Sequence, residues 1–375
     1  MMNSPTSDQR FMRQAIDLAK RGMFSTEPNP RVGCVLVSEG QIISEGWHQY
    51  AGEAHAEVNA LKGAEGFTQG ATCYVTLEPC SHQGKTGPCA DALIEAGVSR
   101  VVVGMKDPNP QVSGRGLLRL ESAGIEVISG VLEEECAALN PGFIKRMRDG
   151  LPYVTCKLAM SLDGRTSMAS GESKWITGPE ARADVQLLRA RQGAIITGSG
   201  TVVADDPSMT VRPESFPESF KAQGEVEVLQ PWRVVIDAKR NLNKSHKILN
   251  LPGKVIVCTG VEPSTLDLPE SAEVLRCPLT ESGKVDLGFV LRWLAEQGIN
   301  EVLVETGAML AGAFVAGGHI DQLEVYVAPK LLGHEARGLL NLPGMSQLSD
   351  AIVFQFSHAR PVGRDLCLTY LTKRV

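Results

Sequence analysis

From Gly33 to the C-terminus, short runs rich in Val and Ile alternate with longer stretches that carry apolar residues at helical spacing. "VGCVLV" and "QIISEGWH" come first, joined by Ser38-Glu39-Gly40 as a hairpin. A helix over about 55–64, the strand "TCYVTL", a helix over about 89–96, the strand "RVVVGM", a helix over about 115–123 and the strand "IEVIS" follow. Strands that alternate with helices must return through crossovers, so their sheet contains parallel pairs covered by helices. The pattern predicts a three-layer α/β/α domain with a mixed sheet, opened by a helix over 7–22 whose N-cap is Ser7.

A chain of 375 residues is longer than one core usually organises, and two domains are expected. A charged helix, "LEEECAALNPGFIKRMRDG", ends at Gly150, and the strand "PYVTCKLAMSLDG" begins at once, which puts the boundary near 147–152 and the domains at 1–149 and 150–375. The second domain alternates as well. "EARADVQLLRARQG", "LGFVLRWLAEQG" and "AMLAGAFVAGG" read as helices, and "AIITG", "WRVVID", "KVIVCT", "NEVLVET" and "QLEVYVAPKLLG" as strands. The Pro-, Glu- and Ser-rich segment 212–231 reads as an exposed connection.

Charge narrows the partners. Lys and Arg number 37 against 43 Asp and Glu, and both halves share the sign, with 14 against 18 in 1–150 and 23 against 25 in 151–375. Phosphate backbones and anionic membranes require clustered cations, so neither is expected as a partner, whereas a small anionic substrate needs only a few placed Arg or Lys. No run reaches the roughly 18–20 apolar residues of a bilayer span, and the N-terminus reads as an amphipathic helix rather than a signal peptide, so a cytoplasmic location is expected. The nine cysteines are odd in number and irregularly spaced, with Cys34, Cys73, Cys156 and Cys258 inside apolar runs. They read as reduced, buried thiols rather than a disulfide framework.

"LEPCSHQGKTGPC" places Cys80 and Cys89 with eight residues between them, each after a proline, and the second opens a helix. "GEAHAEVNALKGA" places His55 at a helix start and Glu57 in its first turn. Two residues of helix rotate a side chain by about 200°, so His55 and Glu57 cannot chelate from one helical face. With His55 at the cap, however, it can ligate while Glu57 projects beside the metal. Taken singly, these pieces have plainer readings: a capping histidine, two buried thiols, and His82 as a loop residue. Taken together they form the H-x-E plus P-C and C arrangement of zinc nucleoside and nucleobase deaminases, in which the glutamate is not a ligand. One zinc per chain is expected on His55, Cys80 and Cys89, with Glu57 as general acid and base. His82 could replace Cys89 as ligand, but it is read as a loop or substrate contact.

Zinc deaminases usually have two residues between their cysteines, not eight. "PNPRVG" at 28–33, "HAEVNAL" at 55–61, "VTLEPCSHQGKTGPC" at 75–89 and "DPNPQVSGRG" at 107–116 together resemble the deaminase half of the bifunctional riboflavin-biosynthesis deaminase/reductase family. Gly87 stands where that family usually has proline. The resemblance implies a cytidine-deaminase-like fold for the first domain, with Asn29 and His82 meeting substrate.

In the second half no G-x-G-x-x-G follows a strand, so a Rossmann domain is not supported. Gly307 lies between a strand and a helix, where backbone N–H groups at 307–310 can receive a phosphate, and "TGSGT" at 197–201 allows a similar approach. Either stretch can equally be a plain turn. Lys157 and Asp163 flank a strand end, and Arg189 and Arg212 are candidates for a substrate phosphate, although Arg189 shares its helix with Arg182 and Arg191 and can also belong to a solvated cationic face. "KLAMSLDGRTSMASGESKWIT", "TGSGTVVADDPSMTVR", "VIDAKR" and "VETGAMLAGAFV" resemble the reductase half of the same family. This resemblance implies a dihydrofolate-reductase-like α/β fold and NADPH as cofactor. It further implies cofactor contacts from Ala159, Trp175, Thr201, Asp205, Gly307, Ala308, Met309 and Leu310, and substrate contacts from Ser173, Arg189, Met209, Arg212 and Glu305. Ala238 stands where a serine is often found, and Thr306 where a small residue is usual.

The implied activity is hydrolytic deamination of a phosphorylated ribosylaminopyrimidine, followed by NADPH-dependent reduction of its ribosyl chain to ribityl; the resemblance is compatible with a homo-oligomer. Two rivals stand beside it. A tRNA or nucleobase deaminase with a C-terminal binding module would show a basic surface, and a zinc-stabilised binding protein would have no use for Glu57.

Overall fold

The structure, a computed structural model, describes residues 6–81, 87–110, 112–221, 227–262 and 267–373. The chain divides into two compact units, 1–151 and 152–375. In the first, the elements are α1 (Ser7–Ala19), β1 (Gly33–Ser38), β2 (Gln41–Trp47), α2 (Ala56–Gly63), β3 (Thr72–Leu77), α3 (Cys89–Glu95), β4 (Arg100–Met105), α4 (Arg115–Ser122), β5 (Glu126–Ser129), α5 (Glu133–Ala138) and α6 (Pro141–Asp149).

The five-stranded sheet runs β2-β1-β3-β4-β5. β1 is antiparallel to β2 and β3, while β3, β4 and β5 are parallel to one another, giving the mixed sheet that the alternation predicts. β3 and β4 are buried at all but their first residue, which is why they read as unbroken apolar runs, whereas the edge strand β2 is largely open to solvent. α1 lays Phe11, Met12, Ala15, Ile16, Leu18 and Ala19 into the core.

Two local expectations are corrected. Thr6, not Ser7, caps α1: its hydroxyl accepts from the Gln9 amide while the Gln9 side chain reaches back, and the helix ends at Ala19 before a 3₁₀ turn over Lys20–Gly22. The single charged helix before the boundary is two helices, α5 and α6. Pro141 has no N–H and opens α6, and the Asn140 amide is drawn away to bond the backbone of Arg31 at both its N–H and its carbonyl.

The second unit comprises β6 (Tyr153–Ser161), β7 (Arg165–Ser167), α7 (Pro179–Ala190), β8 (Ala194–Gly198), α8 (Ser199–Asp205), α9 (Glu218–Lys221), β9 (Trp232–Ile236), α10 (Lys247–Asn250), β10 (Val255–Thr259), β11 (Ala272–Arg276), α11 (Leu287–Glu296), β12 (Glu301–Val304), α12 (Ala308–Ala316), β13 (Gln322–Ala328), β14 (Arg337–Gly338), β15 (Phe354–Val362) and β16 (Asp365–Thr372). Nine strands form one sheet in the order β11-β10-β9-β8-β12-β6-β13-β16-β15. The seven from β11 to β13 are parallel, and the β15–β16 hairpin adds antiparallel strands at one edge. Sequence patterning misses β11, β15 and β16. β11 is a half-exposed edge, and β15 is solvent-exposed over most of its length with a register shift between Phe356 and His358, so neither carries a buried apolar run.

β12 pairs in parallel with both β6 and β8, with Val304 opposite Cys156 on one side and Ile196 on the other. Residues 157, 197 and 305, which come next along their strands, are thereby neighbours although they lie far apart in sequence. Among the described residues, no helix is long and apolar enough to cross a membrane.

Candidate active sites

The first site lies beyond the carboxyl end of β3, where α2 and α3 begin. His55 is the N-cap of α2 in extended conformation, and its ring makes no capping bond. Gly46 in β2 makes this placement feasible: a Cβ there would stand 2.4 Å from both the Ala56 carbonyl and the Ala60 amide, so only glycine lets α2 lie this close to the sheet. Cys89 is the first residue of α3, and the helix start folds back on Cys80, with the Cys89 amide donating to the Cys80 sulfur (3.4 Å) and the Ala90 amide to its carbonyl (3.1 Å).

Nδ1 of His55 lies 3.2 Å from Cys89 Sγ and 3.6 Å from Cys80 Sγ, and the three ligand atoms fall within 4.8 Å of one another. Zinc bonds of about 2.3 Å to sulfur and 2.0–2.1 Å to nitrogen, at tetrahedral angles, put N and S about 3.6 Å apart. The spacing and the chemistry of the donors therefore fit zinc, with a fourth position left over. The Cys80 thiol is drawn down to about 4, first by its hydrogen bond with Cys89 and then, against burial, by His55 and the Cys89 amide. Cys89 is pushed up, first by Cys80 and next by burial, and His55 is raised by its bond to Cys80. A divalent cation among these groups would displace the protons they now share.

Glu57, in the first turn of α2, is 4% exposed. Burial, partly opposed by His55, lifts its carboxyl to about 6, where one group can both accept and return a proton near neutral pH. Asn29 donates to Nε2 of His48 at 3.0 Å, and the Ala54 carbonyl lies 3.1 Å from Nδ1 of the same ring. These partners fit the Nδ1–H tautomer, and burial keeps His48 below its ordinary pKa. The His48 ring stands edge-on to His55, with centroids 5.4 Å apart. Sequence reasoning passed over His48, which reads there only as the end of a strand; its burial is a tertiary fact. His82 lies outside the described residues.

In the second unit, Glu305 follows β12 and is clasped by Arg189, whose Nε and Nη2 donate to its two oxygens at 2.8 and 2.9 Å. Lys157 approaches the same carboxylate at 3.9 Å. Burial alone would raise the Glu305 carboxyl, but Arg189, then Lys157 and the more distant Arg212, outweigh it and hold the group at about 2. Arg189 is 8% exposed and also bonds the Thr210 carbonyl, so it does not belong to a solvated face. Met209 is buried with its sulfur 3.8 Å from Arg189, whereas Arg212 is exposed and bonds Ser208.

Beside this group, Thr201 on α8 accepts from the Gly307 amide (3.2 Å) and meets Thr306 (3.4 Å), tying the head of α12 to the end of β8. Ala308 and Leu310 are half-buried there, Met309 is exposed beside the Asn341 amide, and Ala159 packs against the cluster formed by Ala181, Val185, Tyr326, Val362 and Cys367. Trp175 is 62% exposed, with the Arg182 guanidinium 4.6 Å from its ring and Lys330 bonding its carbonyl. Ser173 is half-buried nearby in sequence, and Lys174 pairs with Asp205 at 3.6 Å. The Asp163 carboxylate accepts from Ser161 and from the Leu332 and Gly333 amides, which pins that turn.

Residues 5–105 match the cytidine and deoxycytidylate deaminase zinc-binding region, and residues 152–368 match the RibD C-terminal domain. The riboflavin biosynthesis protein RibD of Escherichia coli strain K12 is 52% identical over 362 residues, which cover 96% of this chain and 98% of the relative. The solved structure of Acinetobacter baumannii RibD (form 1) is 45% identical with a TM-score of 0.88, covering 98% of this chain and 99% of that one. A diaminohydroxyphosphoribosylaminopyrimidine deaminase/5-amino-6-(5-phosphoribosylamino)uracil reductase from Thermotoga maritima is 35% identical with a TM-score of 0.87 and the same coverage. Likeness of this strength runs through both units in one order, and the chain belongs to the RibD family of bifunctional riboflavin-biosynthesis enzymes, each a deaminase and a reductase.

Proposed function

We propose that the two units act in succession on one small molecule, a diaminopyrimidinone bearing a 5-phosphoribosylamino group. The observation that carries this reading is the buried Glu57 beside three convergent donors, in a chain similar to RibD proteins over its whole length. The name of the Thermotoga maritima relative supports the choice of substrate.

His55, Cys80 and Cys89 hold one zinc ion, which supplies Lewis acidity that makes a water nucleophilic near neutral pH. Glu57 takes the proton released as that water attacks the ring carbon, and returns it to the departing amine, so that water and the amino compound become a carbonyl and ammonia. His48 fixes the amide of Asn29, which is assigned to the substrate by resemblance. His82 is assigned to the same substrate by resemblance.

In the second unit, NADPH, when bound, would supply a hydride to the ribose C1′ and be oxidised to NADP⁺, with the C1′–O4′ bond opening and O4′ taking a proton to leave a ribityl chain. Arg189 and Lys157 hold Glu305 ionised against the substrate, and Arg212, the exposed cation of the group, meets its phosphate. Ser173, Met209 and Asp163 complete the assigned substrate contacts. Ala159, Trp175, Thr201, Asp205 and residues 307–310 bind the cofactor, with the amides at the head of α12 available to a phosphate. The nine free cysteines suit a reducing, cytoplasmic location.

Ammonia release from the diaminopyrimidine phosphate, with and without a chelator, and NADPH oxidation on its deaminated product test the reading. The chelator should abolish the first and spare the second. Ammonia release from tRNA or free cytosine in place of the pyrimidine phosphate would overturn the choice of substrate.

A further inference from the structure

Glu78 takes no part in the chemistry above, yet it is among the most deeply buried acids of the first unit, at 3% exposure. It is the first residue after β3, and its own amide donates to the Met105 carbonyl at the end of the parallel neighbour β4. Its side chain continues across the same edge of the sheet. Oε2 accepts from the Asp107 amide at 3.1 Å and the Gly114 amide at 2.9 Å, and Oε1 from the Gly116 amide at 3.0 Å.

One carboxylate thus gathers three backbone donors, two from the connection between β4 and α4 and one from the first turn of α4. That connection also has internal order: Asp107 accepts from the Asn109 amide, and the Asn109 carbonyl receives the amides of Val112 and Ser113. Gly116 shows how close the approach is. A Cβ there would stand 2.0 Å from the Pro79 carbonyl and 3.2 Å from Glu78 Oε1, so the first turn of α4 lies directly on the backbone that leads into Cys80.

Ligands of open α/β sheets bind beyond the carboxyl ends of the strands. Cys80 follows one such end and Asp107 the next, and Glu78 joins the two. We propose that Glu78 is a positioning residue for deamination, its carboxylate tying the turn that begins at Asp107 to the strand end carrying Cys80 and so fixing that turn as a wall of the substrate site. The inference rests on the deaminase reading above. Its charge suits the role, because a carboxylate accepts from several amides at once and donates to none, whereas an amide side chain in its place turns an NH₂ toward at least one backbone donor.

The test uses the full chain with Glu78→Gln and, as a second variant, Glu78→Asp, which keeps the charge but withdraws it by one methylene. Each is compared with wild type for zinc content, for KM and kcat of ammonia release from the diaminopyrimidine phosphate, for NADPH oxidation on the deaminated product, and for hydrogen exchange at the amides of Asp107, Gly114 and Gly116. We expect faster exchange at those amides and a KM raised about 10- to 100-fold, with zinc content and NADPH oxidation unchanged. Three results would overturn the proposal: a wild-type KM despite faster exchange, loss of zinc together with a collapse of kcat, or unchanged exchange. The first removes the link to substrate, and the second makes Glu78 part of the metal scaffold. The third removes the tie itself, whichever substrate the wild type turns over, so it is judged apart from the identity of the substrate. Should Glu78→Gln be insoluble, Glu78→Asp is held to the same outcomes.

Discussion

In the first unit, three ligand atoms, two at helix starts and one in the segment that follows β3, converge within 4.8 Å, and each belongs to a side chain whose element is chemically committed: one imidazole nitrogen and two sulfurs. In the second, the assigned residues come from widely separated segments, and their charges are already satisfied by one another, Arg189 and Lys157 by Glu305 and Asp205 by Lys174. Both clusters sit at the carboxyl edge of parallel strands, but they are assembled differently. Metal chemistry dictates residue types, which a sequence displays; cofactor and phosphate binding can draw on backbone amides and on ion pairs that any sequence can supply. The first site should therefore fail sharply when one donor is changed, and the second should degrade in steps.

The largest effect belongs to the donors. Cys89→Ser replaces a soft thiolate with a poor zinc ligand, and zinc content and deamination should fall together, the latter by roughly 10³-fold or more, while NADPH oxidation on the deaminated product persists. Elemental analysis beside the two assays checks this, and full zinc occupancy in the variant would remove Cys89 from the donor set.

A smaller effect is expected for Arg212→Ala. Loss of one charge-assisted contact to a phosphate should raise the KM of the reduction about 10- to 100-fold without altering ammonia release. An unchanged KM would return Arg212 to the solvent-exposed role its surroundings also permit.

The smallest concerns pH. The Glu305 carboxyl is held at about 2, below its ordinary value of 4.5. A carboxyl with a lowered folded-state pKa stabilises the fold fully above its unfolded value and loses that contribution as pH falls towards the folded one, so the window is about 4.5 down to 2, and the effect is on the order of 3 kcal/mol at most. Urea titrations of the full chain should show wild type losing stability more steeply than Glu305→Gln across this window. Three of the four tryptophans, Trp175, Trp232 and Trp293, lie in the second unit, so fluorescence follows that unit preferentially. Parallel slopes would mean that Glu305 is not held ionised by its neighbours.

The same contrast explains how much was legible beforehand. His55, Glu57, Cys80 and Cys89 could be named because their spacing around helix starts is local, and β3 and β4 because burial on both faces writes an unbroken apolar run. β15 could not, because an exposed edge strand carries no such run. His48 and Glu78 escaped for a related reason: each is a polar residue at a strand end whose role is set by partners from distant segments, Asn29 for one and the Asp107–Gly116 connection for the other. Arg189 was visible as a cation on a helix, but only the fold places Glu305 against it. Asn140 misled in the opposite sense, since a helix that looked continuous is broken by a proline and by a side chain committed to Arg31.

The central claim is that one chain carries two separable chemistries, and Glu57→Gln tests it most directly. Glutamine keeps the volume of the side chain and removes its capacity to take a proton, so zinc should stay bound while deamination falls by about 10²–10⁴-fold. Given the diaminopyrimidine phosphate, the variant should release almost no ammonia; given the deaminated product, it should oxidise NADPH at the wild-type rate. Normal ammonia release would contradict the role of Glu57, and loss of both activities in a folded, zinc-loaded chain would contradict the separation of the two sites.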